Sequence, residues 1–222
     1  YEIFIEGYSS KQWARHPREL PASIIKRVPI RLTFDDNYFN DRYQGIPIGG
    51  YTSIFEKMLD GIPVELNTDF HLDRETFLSK FDHVIFTGPI DSFFDYSLGH
   101  LEYRSLRFDH QLINCSDFQG NAVINHTEAQ IPYTRTYEHK HFDMNFTADR
   151  SAVTYEYPDK WEPGKIEIYP VNTDENQTLF SKYQDMTKEL PNVTFGGRLG
   201  QYRYYDMHQV IGAALEKVKS LA

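Results

Sequence analysis

Near its C-terminal end the chain concentrates groups able to hold a ligand, in the run Gly196-Gly197-Arg198-Leu199-Gly200-Gln201-Tyr202-Arg203-Tyr204-Tyr205-Asp206-Met207. Glycine lets backbone approach a bound group closely. Arginine supplies a fixed charge on a rigid fork, and each tyrosine offers an apolar face with a polar tip. Val193-Thr194-Phe195 reads as a short strand leading into the glycines. Met207, Val210, Ile211, Ala214, Leu215 and Val218 recur at helical spacing. Asp206 stands where an N-cap carboxylate would accept the first free backbone N–H groups. The unit is therefore strand, glycine turn, aromatic loop and helix N-terminus, and such a terminus favours an anion. A tight turn with tyrosines laid over a neighbouring surface fits the same residues, and glycine spacing alone does not separate the two.

A second cluster, Glu138-His139-Lys140-His141, packs two histidines and a carboxylate together. The histidines share a face only if the segment is a strand, and the sequence offers no third ligand, so no metal site is assigned. Cys115 is the single cysteine, which rules out an internal disulfide and fits a reducing compartment.

The glycine–tyrosine run resembles the C-terminal flavin-contacting segment of the UDP-galactopyranose mutase family. Gly7-Tyr8-Ser9-Ser10-Lys11-Gln12-Trp13 resembles that family's uridine-binding segment. The likeness continues, in the family's order, through Leu20-Pro21-Ala22-Ser23, Asp35-Asp36-Asn37-Tyr38-Phe39, Asp41-Arg42-Tyr43-Gln44-Gly45-Ile46-Pro47 and Tyr133-Thr134-Arg135. It implies a flavin-dependent isomerase that interconverts UDP-galactopyranose and UDP-galactofuranose. Reduced FAD would be the nucleophile at the anomeric carbon and UDP the leaving group, so protein groups orient and neutralise.

The resemblance assigns Arg27 and Arg135 to the substrate diphosphate as the catalytic cations. It gives Tyr8, Ser9 and Trp13 to the uridine side, and Tyr38, Asn125, Tyr169 and Tyr204 to further substrate positions. Glu156 matches a carboxylate on the sugar side. Gly197, Arg198, Tyr204, Tyr205, Asp206 and Met207 fall to the flavin, with Arg198 favouring the anionic reduced ring and Asp206 as its acidic partner. Ser9 stands where the family commonly has Thr, and Ala14 where Gly is usual. Read without the family, Arg27 is a solvated charge, Arg135 an ion-pair partner of Glu138, Trp13 a core residue, and each tyrosine the edge of an amphipathic strand.

The family opens with a dinucleotide-binding βαβ unit and a G-x-G-x-x-G turn, which does not occur here, and the first residue is Tyr1. The expectation is a C-terminal portion, inactive alone and without tight FAD binding. For the intact protein the expectation is a cytoplasmic enzyme, UDP-galactose as substrate and a homodimer. Two other readings stand beside it: a sugar-nucleotide-binding protein without isomerase chemistry, and a flavoenzyme of amine oxidase-like architecture. The Tyr8–Trp13 segment with two arginines favours a nucleotide diphosphate over an amine. The Arg198 loop favours an enzyme over a binder.

The elements that must position these residues read as a mixed α+β chain. The 222 residues are 40% hydrophobic and 25% charged, ordinary for a globular protein. A net charge of −9 argues against general nucleic-acid binding. No apolar run reaches the length of a membrane span, and no signal peptide is visible. Residues 1–50 read as the end of a helical substrate region and a mobile loop, with Lys26, Arg27 and Arg31 in its basic part and an ordered polar segment from 35 to 50. Residues 51–100 read as the remnant of an FAD-binding α/β domain. That stretch has a helix at 51–59 with Ile54, Phe55, Met58 and Leu59 on one face, a strand at 64–67, a helix at 73–81, and a strand at 83–87 covered on both faces. Residues 101–170 read as the antiparallel sheet of the substrate domain, with strands at 104–112, 122–127, 152–157 and 166–169. Residues 171–222 read as C-terminal helices around the flavin loop, the first spanning 174–190 and capped by Thr173.

Overall fold

The computed structural model describes residues 1–20, 22, 32–35, 37, 39–143 and 147–221. Strands are β1 (Val84–Phe86), β2 (Tyr103–Ile113), β3 (Val123–Asn125), β4 (Arg135–Glu138), β5 (Ser151–Lys160), β6 (Tyr169–Pro170) and β7 (Val193–Phe195). Helices are α1 (Tyr8–Trp13), α2 (Thr52–Met58), α3 (Arg74–Lys80), α4 (Ile90–Phe93), α5 (Asp174–Thr187), α6 (Gly197–Gly200) and α7 (Met207–Leu221). The class is mixed, with an antiparallel sheet at its centre, as expected. The chain forms two compact units, each built from two segments: Tyr1–Leu66 with Leu106–Pro158, and Asn67–Ser105 with Asp159–Ala222.

In the first unit, a π-helical turn at Glu2–Gly7 runs directly into α1. Ala14 ends α1 in the left-handed region, φ 51° and ψ 31°, a conformation glycine adopts more cheaply. Pro17 then opens a 3-10 turn whose N-cap, His16, accepts the Arg18 N–H through Nδ1 at 3.2 Å. The strands of this unit lie in the order β3-β4-β5-β2, counting β2 from Leu106 onward. Period-two alternation gives β4 a half-buried face, Arg135 and Tyr137, and a buried one, Thr136 and Glu138. Residues 64–67, expected as a strand, form none and are exposed. A lone extended segment gains nothing from the ladder that makes a strand.

Glu138 fixes one end of this sheet. It is fully buried and accepts hydrogen bonds from Phe118 N (2.9 Å), Gln119 N (2.7 Å) and Ser151 Oγ (2.5 Å). Burial disfavours its charge, but those donors and Lys140 outweigh it and hold the carboxyl at about 2.

The second unit contains the β1–β7 pair, parallel with Val84 opposite Val193 and Phe86 opposite Phe195, and the start of β2 paired with β6. One core cluster joins Ile90, Leu101, Tyr103, Trp161, Phe180, Tyr183 and Tyr202; another centres on Phe86, Phe93 and Val193. The buried phenols are satisfied. Tyr103 donates to Asp91 (3.0 Å), Tyr183 to Gly99 O (2.7 Å) and Tyr202 to Val171 O (3.0 Å). Thr173 caps α5 by accepting the Asn176 N–H at 3.3 Å. The strand expected at 83–87 forms, but Ile85 on it is 56% exposed rather than covered. Met207, Ile211, Leu215 and Val218 make an exposed apolar stripe along α7. No helix among the described residues is long and apolar enough to cross a membrane.

Glu138 gives the first unit an acid sensitivity with a definite sign. A folded value below the ordinary carboxylate range, ~4.3, means stability that is complete above that range and lost as pH falls toward about 2. Chemical denaturation from pH 6 to pH 2.5 is expected to show a declining unfolding free energy. Glu138→Gln should lower stability at pH 6 and flatten that decline.

Candidate functional site

Register across three antiparallel strands builds the first group. Asn125 on β3 lies opposite Arg135 on β4, and Arg135 lies opposite Glu156 on β5. Directly paired residues share a face, so an amide, a guanidinium and a carboxylate stand in one row. Arg135 Nε donates to Asn125 Oδ1 at 2.8 Å, and its Nη1 lies 3.9 Å from Glu156 Oε2. The guanidinium carbon sits 5.9 Å from the centre of the Tyr8 ring, within cation–π range. Arg135 is therefore paired to Glu156 and not to Glu138, which faces the other side of β4. Burial works against the Arg135 charge, but Tyr8, Glu156 and Tyr137 outweigh it and raise its pKa further.

Glu156 is 2% exposed. It accepts from Thr134 Oγ1 at 2.8 Å and from the Tyr137 hydroxyl. A buried carboxylate needs donors of this kind to remain charged. On α1, Ser9 and Trp13 lie one turn apart on the buried face, and Trp13 is 5% exposed. Lys11 ties α1 to the sheet region, donating to His126 O (2.8 Å) and Tyr133 O (3.3 Å). Arg27 and Tyr38 lie outside the described residues.

The second group is in the other unit. The Tyr169 and Tyr204 rings stack at 4.9 Å with an interplanar angle of 9°. The Arg198 guanidinium lies 5.5 Å and 5.2 Å from their centres. Its Nη1 donates to Ile168 O (3.1 Å) and its Nη2 to Tyr205 O (2.5 Å). The partners that fix this cation are thus loop carbonyls. Gly197 takes φ 73°, and an added Cβ there would meet Thr87 at 3.5 Å; one added to Gly200 would meet Phe86 O at 3.1 Å. Asp206 precedes α7, and its carbonyl accepts the Gln209 and Val210 N–H groups. Gln209 Oε1 in turn accepts the Asp206 N–H at 2.8 Å, half of a capping box. Tyr205 donates to Gln201 Oε1 at 2.7 Å. Beside this loop a cavity of about 540 Å³ is lined by Thr87, Glu167, Ile168, Gly197, Arg198, Leu199 and Val210. Its apolar walls, glycine approach and fixed cation fit the edge of a flat anionic ring.

Two features escaped the sequence reading. Tyr137 sits on the site face of β4; the alternation Arg135-Thr136-Tyr137-Glu138 was the available signal. Asp117 joins Glu138 and His141 with ligand atoms within 4.8 Å of one another. The Lys140 ammonium stands in the same cluster, 3.6 Å from Asp117 and 3.5 Å from Glu138, so the group is a closed ion-pair network.

A family model described as "GLF: UDP-galactopyranose mutase" matches residues 3–204. The chain is 41% identical to the probable UDP-galactopyranose mutase of Klebsiella pneumoniae, over 97% of this chain and 56% of that protein. It is 38% identical to the dTDP-fucopyranose mutase of Escherichia coli, over 97% of this chain and 59% of that protein. It is 34% identical to the UDP-galactopyranose mutase of Mycoplasma genitalium, over 96% of this chain and 56% of that protein. The chain thus spans little more than half the length of these relatives. A crystal structure of reduced UDP-galactopyranose mutase is similar in fold, with a TM-score of 0.50 at 15% identity, covering 64% of this chain and 42% of that one.

Replacing Arg198 tests its local grip independently of any ligand. Hydrogen bonds from a charged donor contribute about 1.5–3 kcal/mol. Arg198→Ala is expected to lower unfolding free energy by about that amount in urea titrations. Arg198→Lys should recover little of it, because a point charge cannot bond both carbonyls and cover two rings. Equal stability of the two variants and the parent would refute the assignment.

Proposed function

Since the chain belongs to the UDP-galactopyranose mutase family, we propose that the protein it forms part of interconverts the pyranose and furanose forms of UDP-galactose with reduced FAD. The observation that carries the reading is the Asn125–Arg135–Glu156 row with Tyr8 at its edge. Residues far apart in sequence converge there into a held guanidinium, and a sugar nucleotide presents a diphosphate. Nε of Arg135 is engaged by Asn125, so the terminal nitrogens are the ones presented to phosphate oxygens. Charge that develops on a departing UDP is neutralised by a cation already oriented, which lowers the barrier more than one that must reorient. Tyr8 supplies an aromatic surface beside the diphosphate, and Ser9 and Trp13 hold α1 against the core. Asn125 and Glu156 border the sugar side. Ser9 and Trp13 belong with Tyr8 to the uridine side, and Arg27, Tyr38, Tyr169 and Tyr204 complete the substrate set in this proposal.

The flavin falls to Gly197, Arg198, Tyr204, Tyr205, Asp206 and Met207. When bound, it supplies the electron pair that displaces UDP and holds the sugar during ring exchange. Gly197 lets the backbone approach it, and Arg198 places a fixed positive charge beside a ring that is anionic when reduced. Tyr169 and Tyr204 flank that guanidinium.

A second substrate has specific support. The dTDP-fucopyranose mutase of Escherichia coli is 38% identical to the chain, close to the 41% of the Klebsiella pneumoniae relative. Both substrates are pyrimidine nucleoside diphosphate sugars, and the Arg135 row treats their diphosphates alike.

The full-length protein, reduced with dithionite, should convert UDP-galactofuranose to UDP-galactopyranose on anion-exchange chromatography. Conversion of dTDP-fucose in its place would move the assignment to the second substrate, and binding of UDP without turnover of either would leave a sugar-nucleotide binder. Arg135→Ala is expected to weaken UDP binding about tenfold to a hundredfold by calorimetry, the value of one charge-assisted contact. Unchanged affinity would show that Arg135 does not meet the diphosphate.

A further inference from the structure

We infer that Tyr137 is a positioning residue of this site: with Thr134 it clamps the Glu156 carboxylate, and the clamped carboxylate sets the direction in which Arg135 presents its terminal nitrogens. The role assigned to Arg135 rests on the function proposed above; the clamp itself rests on geometry alone.

Strand register places the participants. Tyr137 is two residues after Arg135 on β4, so the pleat puts both side chains on one face. Glu156 is the direct cross-strand partner of Arg135, which leaves it on the diagonal from Tyr137, within reach of a long phenol. The Tyr137 hydroxyl donates to Glu156 Oε2, the same oxygen that lies 3.9 Å from Arg135 Nη1. Thr134 Oγ1 donates to the other oxygen at 2.8 Å. Each carboxylate oxygen therefore has its own hydroxyl donor, and the carboxylate plane is fixed.

Without the phenol, the carboxylate would swing about its remaining anchor at Thr134. The 3.9 Å gap to Nη1 is too long to be a hydrogen bond, so Arg135 does not hold Glu156 in return. Asn125 grips Nε, and the Tyr137 hydroxyl is itself a hydrogen-bond partner of the guanidinium. Orientation of the terminal nitrogens therefore depends on Tyr137 twice, through that direct contact and through where it holds the Glu156 charge. Burial and the Glu156 charge push the Tyr137 phenol up to about 12, so it stays protonated and donating across the working range.

A merely structural tyrosine would contribute packing that phenylalanine replaces. Tyr137→Phe keeps the ring and removes the donor. In the full-length protein, the Arg135 Nε–H resonance in ligand-free ¹⁵N spectra should exchange with water several-fold faster in Tyr137→Phe. Glu156→Gln should produce a smaller increase, and the double variant no more than Tyr137→Phe alone, because both routes to Arg135 run through the phenol. UDP affinity by calorimetry should fall about fivefold in Tyr137→Phe. Additive effects of the two substitutions, or an Nε–H exchange rate unaltered in Tyr137→Phe, would overturn the inference. If the parent protein binds no UDP, the function proposed above fails, while the Nε–H measurement still decides whether Tyr137 positions Arg135.

Discussion

A carboxylate buried to 2% exposure on β5 governs the candidate substrate site. Charge in such a place is tolerated only where donors and a cation surround it. Thr134, Tyr137 and Arg135 all converge on Glu156, and Asn125 holds Arg135 from the far side. Every one of these contacts follows from the β3-β4-β5 register. A one-residue slip would turn Arg135 and Tyr137 to the opposite face and leave Thr136 and Glu138 in their place. Glu138 resists that slip, because it is anchored by two backbone N–H groups and Ser151 on the buried side. Two carboxylates on opposite faces of one sheet thus lock the same alignment.

The second unit solves a different problem with similar means. Its core is rich in tyrosine, and each ring buries area while its hydroxyl finds a carbonyl or carboxylate. Tyr103, Tyr183 and Tyr202 lie in the core, and Tyr169 and Tyr204 stack on each other beside Arg198. What distinguishes the two sets is tertiary position, which residue type does not carry.

Much of the element order was legible. The Thr173 cap and the apolar period of α7 are local signals, and the strand before the glycines has a local composition that its pairing with β1 completes. Three features escaped or departed from the sequence reading. β4 went unread because its side chains are mostly polar, and its alternation gains meaning only against β3 and β5. Residues 64–67 have strand-like composition but stay exposed and outside any strand. The strand expected at 166–169 shrinks to Tyr169–Pro170, where proline offers no N–H to extend a ladder. The residue strings shared with the family located Asn125, Arg135 and Glu156, but not the hydroxyls of Thr134 and Tyr137 that hold Glu156 in place.

Both units are discontinuous in sequence: the first closes only when residues up to Pro158 join Tyr1–Leu66, and the second only when Asp159–Ala222 joins Asn67–Ser105. On a ribosome this ordering matters. Synthesis proceeds at roughly 5–20 residues per second, so residues 1–66 emerge several seconds before the strands that cover them. During that interval the 67–105 segment, with Val84-Ile85-Phe86 and no β7 to pair with, is also exposed. Non-local pairing of this kind folds slowly and leaves apolar edges open meanwhile. Translation pauses and chaperone engagement between residues 66 and 158 are therefore expected to govern the yield of this protein more strongly than the stability of either finished unit.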